Sequence, residues 1–322
     1  IDHHLSHAAF SFYSSPYKDA AILTVDGVGE FETVTISKGD EKGINKKLSI
    51  DFPNSLGMLY STITAYLGFK PNEGEYKVMG LAPYGKPDKY YERLEQIFIN
   101  KTTNKFEIDQ KYFTWEYSDK IMFTKHLAKL LVLPPRLPEE EVTQEHKNLA
   151  SALQNLYERE FLKLVNRAKH ICNSENLCLG GGCAYNGVAN NKAYKHFNSI
   201  HIPFAPSDAG SAIGACLVSY LGPKHQKISP YLGNSYSDEY IRGVLEDNTG
   251  KVSFVKYDDK GIVKRTAKLI NNQHIIAWFQ GKMEFGARAL GNRSILASPR
   301  DARMRDRLNY IIKKREGFRP FA

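Results

Sequence analysis

The sequence predicts an α/β fold, and three observations carry that reading. The stretch DAAILTVDGVGE is an apolar run that breaks into a glycine-bearing turn, as a buried strand does. Two later stretches, NLCLGGGCAYNGVANNKAY and SIHIPFAPSDAGSAIGACLVSYL, repeat one grammar: apolar run, loop of small or polar residues, helix. Before them lies EEEVTQEHKNLASALQNLYEREFLKLVNRAKHIC, a long segment rich in strong helix formers.

Taken in order, the chain opens on IDHHLSHAAF. If this stretch is helical, His3 and His7 lie one above the other on one face. DAAILTV is the first strand, and the alternating ETVTIS pairs with it as a hairpin. SLGMLYSTITAYLGF carries Leu56, Leu59, Ile63 and Leu67 at helical spacing. GEYKVMGLAPYGKP, with its glycines and prolines, reads as a loop, and DKYYERLEQIFI as a short amphipathic helix. After the long helix and the two strand–loop–helix units, GPKHQKISPYLGNSYSD reads as a linker. HIIAWFQG is a further strand and DARMRDRLNYIIKK a basic helix. A first domain is therefore expected over 1–225 and a second over 226–322.

At 322 residues, 42% hydrophobic and 25% charged, the chain can bury an ample core. No apolar run approaches the roughly 18 residues of a membrane span, so no membrane partner is expected. Cys172, Cys178, Cys183 and Cys216 form no CxxC pair, which suits a reduced, cytoplasmic protein better than a disulfide framework or a zinc ribbon. The formal charge of +9 is uneven. Residues 273–322 hold eleven Lys/Arg against four Asp/Glu, a net of +7 that leaves +2 for the rest. A charge placed so locally implies a local anionic partner, either a phosphate-rich small molecule or a nucleic acid.

Four places carry candidate chemistry. A His-x-x-x-His pair on one helix face can bite a metal, but the Glu of HExxH is absent, which argues against a zinc protease. Asp26 ends an apolar strand beside glycines, a position for metal or phosphate work or for capping a turn. Asp208, between a strand and a small-residue helix, can cap that helix or act as a ligand. Together, His3, His7, Asp26 and Asp208 make a mixed nitrogen and oxygen set that suits a first-row transition metal better than calcium. Gly180, Gly181 and Gly182 let backbone N–H groups approach an anion or simply make a tight turn. Last, Arg288, Arg293, Lys313, Lys314, Arg315 and Arg319 stand among Phe285, Phe318 and Phe321, where planar guanidinium groups can hold phosphate or carboxylate. The arginines of ARMRDR read instead as a solvated face.

The stretches DHHLSHA, LTVDGVGE, GEYKVMGLAPYG, LGGGCAYN, APSDAGSAIGA, WFQGKMEFGARALGNRSILA and IKKREGFRPFA resemble, in this order, those of the O-carbamoyltransferases of the nodulation-protein (NodU) and antibiotic-carbamoylation type. The resemblance implies an actin-like, sugar-kinase-type domain of the kind shared with threonylcarbamoyl-tRNA transferases. It also implies that the start of a YrdC-like domain follows. In such enzymes the YrdC-like part makes carbamoyl-adenylate from ATP and carbamoyl phosphate, and the actin-like part, with a bound divalent metal, usually iron (Fe2+), transfers the carbamoyl group to an acceptor hydroxyl.

Carried onto this sequence, the resemblance makes His3, His7, Asp26 and Asp208 the metal-binding, catalytic set and leaves His4 without a ligand role. Gly180, Gly181, Gly182 and Asn186 would hold nucleotide, with Lys77 near the same cleft. Arg288, Arg293, Lys313 and Arg319 would bind carbamoyl phosphate or the ATP phosphates, and Mg2+ would accompany ATP. The acceptor would be a small molecule or saccharide, a nucleic acid is disfavoured, and homodimerisation is the family expectation. Ala287 and Gly317 replace usual prolines, and Lys282 an arginine, which keeps the charge but loses the fork. The family's first segment and most of the YrdC-like domain are absent, so the chain as given is expected not to complete the reaction. A threonylcarbamoyl-tRNA transferase, a small-molecule kinase or ATPase on the same fold, and a catalytically dead scaffold are the rival readings.

Overall fold

The structure, a computed structural model, describes residues 1–99, 105–118, 121–221 and 225–321. Gly222, Pro223 and Lys224 of the expected linker, and the final Ala322, lie outside the described residues. The chain separates into two compact units, Ile1–Ile228 and Ser229–Ala322.

The first unit begins with helix α1 (His3–Tyr13), followed by strands β1 (Ala20–Gly29), β2 (Glu32–Asp40) and β3 (Gly43–Asp51). Helices α2 (Leu56–Tyr66), α3 (Glu75–Leu81), α4 (Asp88–Glu95), α5 (Lys125–Leu131) and α6 (Gln144–Cys172) come next. Strand β4 (Asn176–Gly180), helix α7 (Gly187–Lys192), strand β5 (Ser199–His201) and helix α8 (Asp208–Cys216) complete it.

The sheet order is β3-β2-β1-β4-β5. β1, β2 and β3 form an antiparallel meander, while β4 runs parallel to β1 and β5 parallel to β4. The architecture is α/β, as the sequence predicts. β1 is covered on both faces, which is why its first six residues are all buried. Ala20 and Ile22 pack with Cys178 against Ala8, Ala9, Phe10 and Phe12 of α1. The strand's alternation turns Ala21, Leu23 and Val25 to the opposite face, where α2 and α6 meet β1.

Helix α8 lies along α1. Its sequence, DAGSAIGAC, is nearly all small residues, and the packing shows why. A Cβ on Gly214 would stand 1.8 Å from the Ser6 carbonyl oxygen, so only glycine lets the two backbones come this close.

Three features differ from the sequence expectation. GEYKVMGL is helix α3, not loop: Val78 and Leu81 are buried on one side, and the Glu75 carboxylate accepts the Asn72 N–H (2.7 Å) and the Ser61 hydroxyl (2.6 Å). β3 is an additional edge strand whose polar residues stay largely in water. His225 and Gln226 are fastened to the first unit rather than forming a free linker. His225 Nδ1–H donates to the Ser15 carbonyl (3.1 Å), and the Gln226 N–H donates to the Tyr13 carbonyl (2.8 Å). The compact division accordingly falls after Ile228 rather than after residue 225.

The second unit contains helices α9 (Asp238–Glu246) and α10 (Asp259–Asn271) and the antiparallel strands β6 (Ile276–Phe279) and β7 (Arg293–Leu296). It closes on α11 (Arg303–Asp306), which continues as a wider helical segment, Arg307–Ile312. Met304, Leu308 and Asn309 face its interior. Of these elements, α9, α10 and β7 go unassigned in the sequence reading, although α9 and α10 carry apolar residues at helical spacing.

Candidate metal centre

Parallel strands β1 and β4 end at one edge of the sheet, the edge where α/β folds gather their chemistry. Asp26 stands at that end of β1, and Asp208 is the first residue of α8, following β5. Helix α1 brings His3 and His7 to the same place on one face. One ligand atom from each of the four residues lies within 4.8 Å of all the others. Asp26 Oδ2 is 3.1 Å from His3 Nε2 and 2.8 Å from His7 Nε2. Asp208 Oδ1 is 3.3 Å from His3 Nε2 and 3.4 Å from His7 Nε2. The two Nε2 atoms face each other at 3.0 Å. Two imidazole nitrogens pointed at one another between two carboxylates is the donor arrangement of a transition-metal site, so these residues fit a divalent ion of that class.

The segment DGVGE builds much of this. Asp26 Oδ1 accepts the Gly27 N–H (2.8 Å), which leaves Oδ2 for the histidines. The β1–β2 ladder is interrupted between Val25 and Gly29. At Gly29 a Cβ would sit 2.4 Å from Cδ2 of His3, so the absence of a side chain makes room for that ring. Glu30, at positive φ (41°) in the turn, accepts the His3 N–H with its carboxylate at 3.1 and 3.2 Å. An anionic acceptor at the N-terminus of a helix is favourable, so Glu30 anchors the turn that carries His3. Neither Gly29 nor Glu30 stands out in the sequence as a site residue, although both belong to the recognised segment.

The charges reinforce the geometry. Burial alone would raise the Asp26 carboxyl, but hydrogen bonds from His3 and His7 hold it far below the usual carboxylate range. Burial opposes charge on His7, yet Asp208 and Asp26 lift its pKa to about 9. His3 is raised chiefly by its hydrogen bond to Asp26. His4, next in sequence, goes the other way: burial lowers it, and it stays neutral. The site is closed at one side and open at the other, since the His7 side chain is 1% exposed and that of Asp208 is 76% exposed.

Residues 1–217 match the family described as Carbamoyltransferase N-terminus, and residues 267–322 that described as Carbamoyltransferase C-terminus. The chain belongs to the carbamoyltransferase family. It is 40% identical over 333 residues to an uncharacterised protein of Synechocystis, covering all of this chain and 54% of that relative. It is 37% identical over 330 residues to the nodulation protein NolNO of Sinorhizobium fredii, covering all of this chain and 46% of that protein. To the 3'-hydroxymethylcephem-O-carbamoyltransferase of Streptomyces clavuligerus it is 32% identical over 187 residues, covering 56% of this chain and 34% of the enzyme. The chain thus spans about half the length of the curated relatives it matches end to end. No helix among the described residues is long and apolar enough to cross a membrane.

In this carbamoyltransferase chain the glycine loop is packed tightly between α1 and β1. A Cβ on Gly180 would lie 3.0 Å from the His7 carbonyl oxygen, and one on Gly182 3.1 Å from Asp26 Oδ1. Gly181 adopts φ +87°, and its N–H donates to the Pro206 carbonyl (2.9 Å). The loop therefore borders the His3, His7, Asp26 and Asp208 cluster, with one of its donors already engaged. The Asn186 side chain is turned inward. Its amide exchanges two hydrogen bonds with Gln154 of α6 (3.0 and 3.1 Å), and its oxygen caps α7 through the Ala189 N–H (3.1 Å). Lys77, on α3, lies over the Phe69 ring, 5.5 Å from its centroid.

In the second unit, Arg288 and Lys313 are exposed, whereas Arg293 and Arg319 are partly covered and each meets a carboxylate. Arg293 Nε is 3.1 Å from Glu284 Oε2, and Arg319 donates to Glu316 Oε2 at 3.1 Å. Two residues organise these loops, and sequence reading passed over both. Glu284 Oε1 accepts three consecutive-loop N–H groups, from Leu290 (2.7 Å), Asn292 (2.8 Å) and Arg293 (3.2 Å). Burial would raise this carboxyl, but those backbone donors hold it down to about 2. Fully buried Asn309 donates to the carbonyls of Gly317 (3.2 Å) and Arg319 (2.9 Å) and accepts from Arg315 Nε (2.7 Å). A lone Glu ahead of the glycine-bearing run GARALGN was the signal available for the first. Asn309 offered none.

Proposed function

We propose that this chain is the metal-binding part, with the beginning of the activating part, of an O-carbamoyltransferase. In this reading carbamoyl phosphate, ATP and water give carbamoyl-adenylate, pyrophosphate and phosphate. The acceptor hydroxyl oxygen then bonds to the carbamoyl carbon as the bond to AMP breaks. The observation that carries the reading is the convergence of His3, His7, Asp26 and Asp208 in a chain that matches both carbamoyltransferase segments. The antiparallel β1–β2–β3 meander continued by parallel β4 and β5 supports an actin-like first domain; the YrdC-like second domain rests on the sequence resemblance alone.

The four side chains would hold a divalent metal, Fe2+ in the family reading. Such an ion supplies Lewis-acid polarisation of a carbonyl when bound. The chain's own contributions are positional. Asp26 stays ionised beside the histidines, Gly29 and Glu30 orient His3, and the exposed Asp208 side leaves a path for the acceptor. Gly180, Gly181 and Gly182 border that centre and are the candidates for receiving the adenylate's anionic end. Arg288, Arg293, Lys313 and Arg319 are the candidates for carbamoyl phosphate and Mg2+-bound ATP, with Glu284 and Glu316 orienting Arg293 and Arg319. The acceptor is a small molecule or saccharide; the name of the Streptomyces relative, an enzyme of 3'-hydroxymethylcephem, supports that class. A cytoplasmic location and a homodimer complete the reading.

The test is to incubate the polypeptide carrying this chain with ATP, with and without carbamoyl phosphate, and to quantify pyrophosphate and ADP. Pyrophosphate should form only with carbamoyl phosphate and be lost in Arg319→Ala. ADP release indifferent to carbamoyl phosphate would replace the transferase reading with a kinase or ATPase.

A further inference from the structure

His4 lies between two metal-site residues in sequence but points elsewhere. It is one position on from His3, a rotation of about 100° around the helix, and its ring is 1% exposed. Its Nε2 is 2.9 Å from the Glu32 carbonyl oxygen. A carbonyl only accepts, so Nε2 carries the proton. The Nδ1 atom of the neutral ring then accepts the Thr24 hydroxyl at 2.7 Å. Thr24 Oγ1 in turn accepts from Thr35, its cross-strand partner, at 2.6 Å. One rigid ring therefore spans two adjacent strands, β1 through Thr24 and β2 through Glu32. The same ring stands edge-on to His3 and His7, with centroids 5.8 and 6.3 Å away.

We infer that His4 is a positioning residue, keyed into β1 and β2 so as to fix the roll of α1 and thereby the convergence of His3 and His7 on Asp26 and Asp208. The role in catalysis rests on the carbamoyl-transfer reading above; the positioning itself does not. Geometry shows why roll matters. A side-chain tip about 6 Å from a helix axis moves about 1 Å for a 10° rotation. Working sites hold their groups to within about 0.5 Å. The hydrophobic contacts of Ala8, Ala9 and Phe12 with the sheet are non-directional, whereas two hydrogen bonds from one planar ring define an angle. The helix's capping anchor at Glu30 holds the His3 backbone but not the rotation of the ring-bearing face.

The test uses long-range 1H–15N spectra of the full chain labelled at histidine, without metal. His4 should show the neutral Nε2–H pattern. In His4→Phe, which keeps an aromatic ring and loses both hydrogen bonds, the ring signals of His3 and His7 should move while those of His126 and His170, on α5 and α6, stay. His4→Gln, which retains a donor for the Glu32 carbonyl, should restore part of the wild-type pattern. Co2+ titration gives a second readout, with affinity expected to fall about 10–100-fold and the visible absorption to change in shape in His4→Phe. Should His4→Phe not fold, Thr24→Val, nearly isosteric, removes one of the two bonds and makes the same comparison. A folded variant whose His3 and His7 signals and Co2+ spectrum coincide with wild type overturns the proposal. A wild-type chain that binds no Co2+, but whose His3 and His7 signals still move in His4→Phe, upholds the positioning role and removes the metal reading instead.

Discussion

At the scale of single residues, small groups without chemistry of their own set the positions of those that have it. The His3 ring occupies space that any side chain at Gly29 would take, and its backbone is held by the Glu30 carboxylate. Removing that carboxylate should loosen the first turn of α1. Glu30→Ala is expected to lower stability by about 1 kcal/mol and to speed amide exchange across residues 3–7. Unchanged exchange there would mean the cap is idle. Glu284 does comparable work in the second unit, gathering three backbone donors of one loop. Its folded carboxyl titrates at about 2, below the ordinary carboxylate value of 4.5. The stabilisation is therefore complete above about pH 4.5 and is lost as pH falls toward 2. In a Trp115→Phe background the remaining tryptophan, Trp278 on β6, reports this unit. Glu284→Gln should unfold earlier than its parent at neutral pH, and the gap should close as pH drops through that window.

At the scale of elements, close packing of α8 on α1 sets where Asp208 stands. Gly214→Ala would press a methyl group into the Ser6 carbonyl, which a packed interface answers by moving apart. A loss of about 1–3 kcal/mol in denaturant unfolding is expected, with weakened metal binding because the helix bearing Asp208 is displaced. Wild-type values for both would show that the contact is slack. Elements were legible in the sequence where burial is two-sided or periodic. β1, with its unbroken apolar run, and α6, with its helix formers, are examples. They were hidden where local composition misleads. The glycine and prolines around GEYKVMGL mask α3, whose two buried residues are too few to show a period. β3 is mostly exposed and lacks the apolar alternation that pattern reading needs, whereas α9 is amphipathic, with Tyr240, Ile241, Val244 and Leu245 on one side, but is only nine residues long. The four residues that converge as a candidate metal site were readable because ligand types are rare and their spacing is telling. His4, Glu284 and Asn309 were not, because a buried polar residue takes its meaning from partners that only the fold supplies.

At the scale of the whole molecule, the charge and the chemistry divide along the chain. The metal-type cluster belongs to the first compact unit, and the segment with a net charge of +7 to the second. Two anionic substrates gathered by one segment, and a centre for group transfer in the other, is the division that the carbamoyltransferase reading requires. The most direct measurement is metal content after anaerobic reconstitution with Fe2+ and removal of excess ion, for the wild-type chain and for Asp26→Asn and His7→Ala. Close to one iron per wild-type chain, and little in either folded variant, is the predicted result. No iron above background in the wild type, or full retention in both variants, would contradict the assignment of His3, His7, Asp26 and Asp208 as the metal centre.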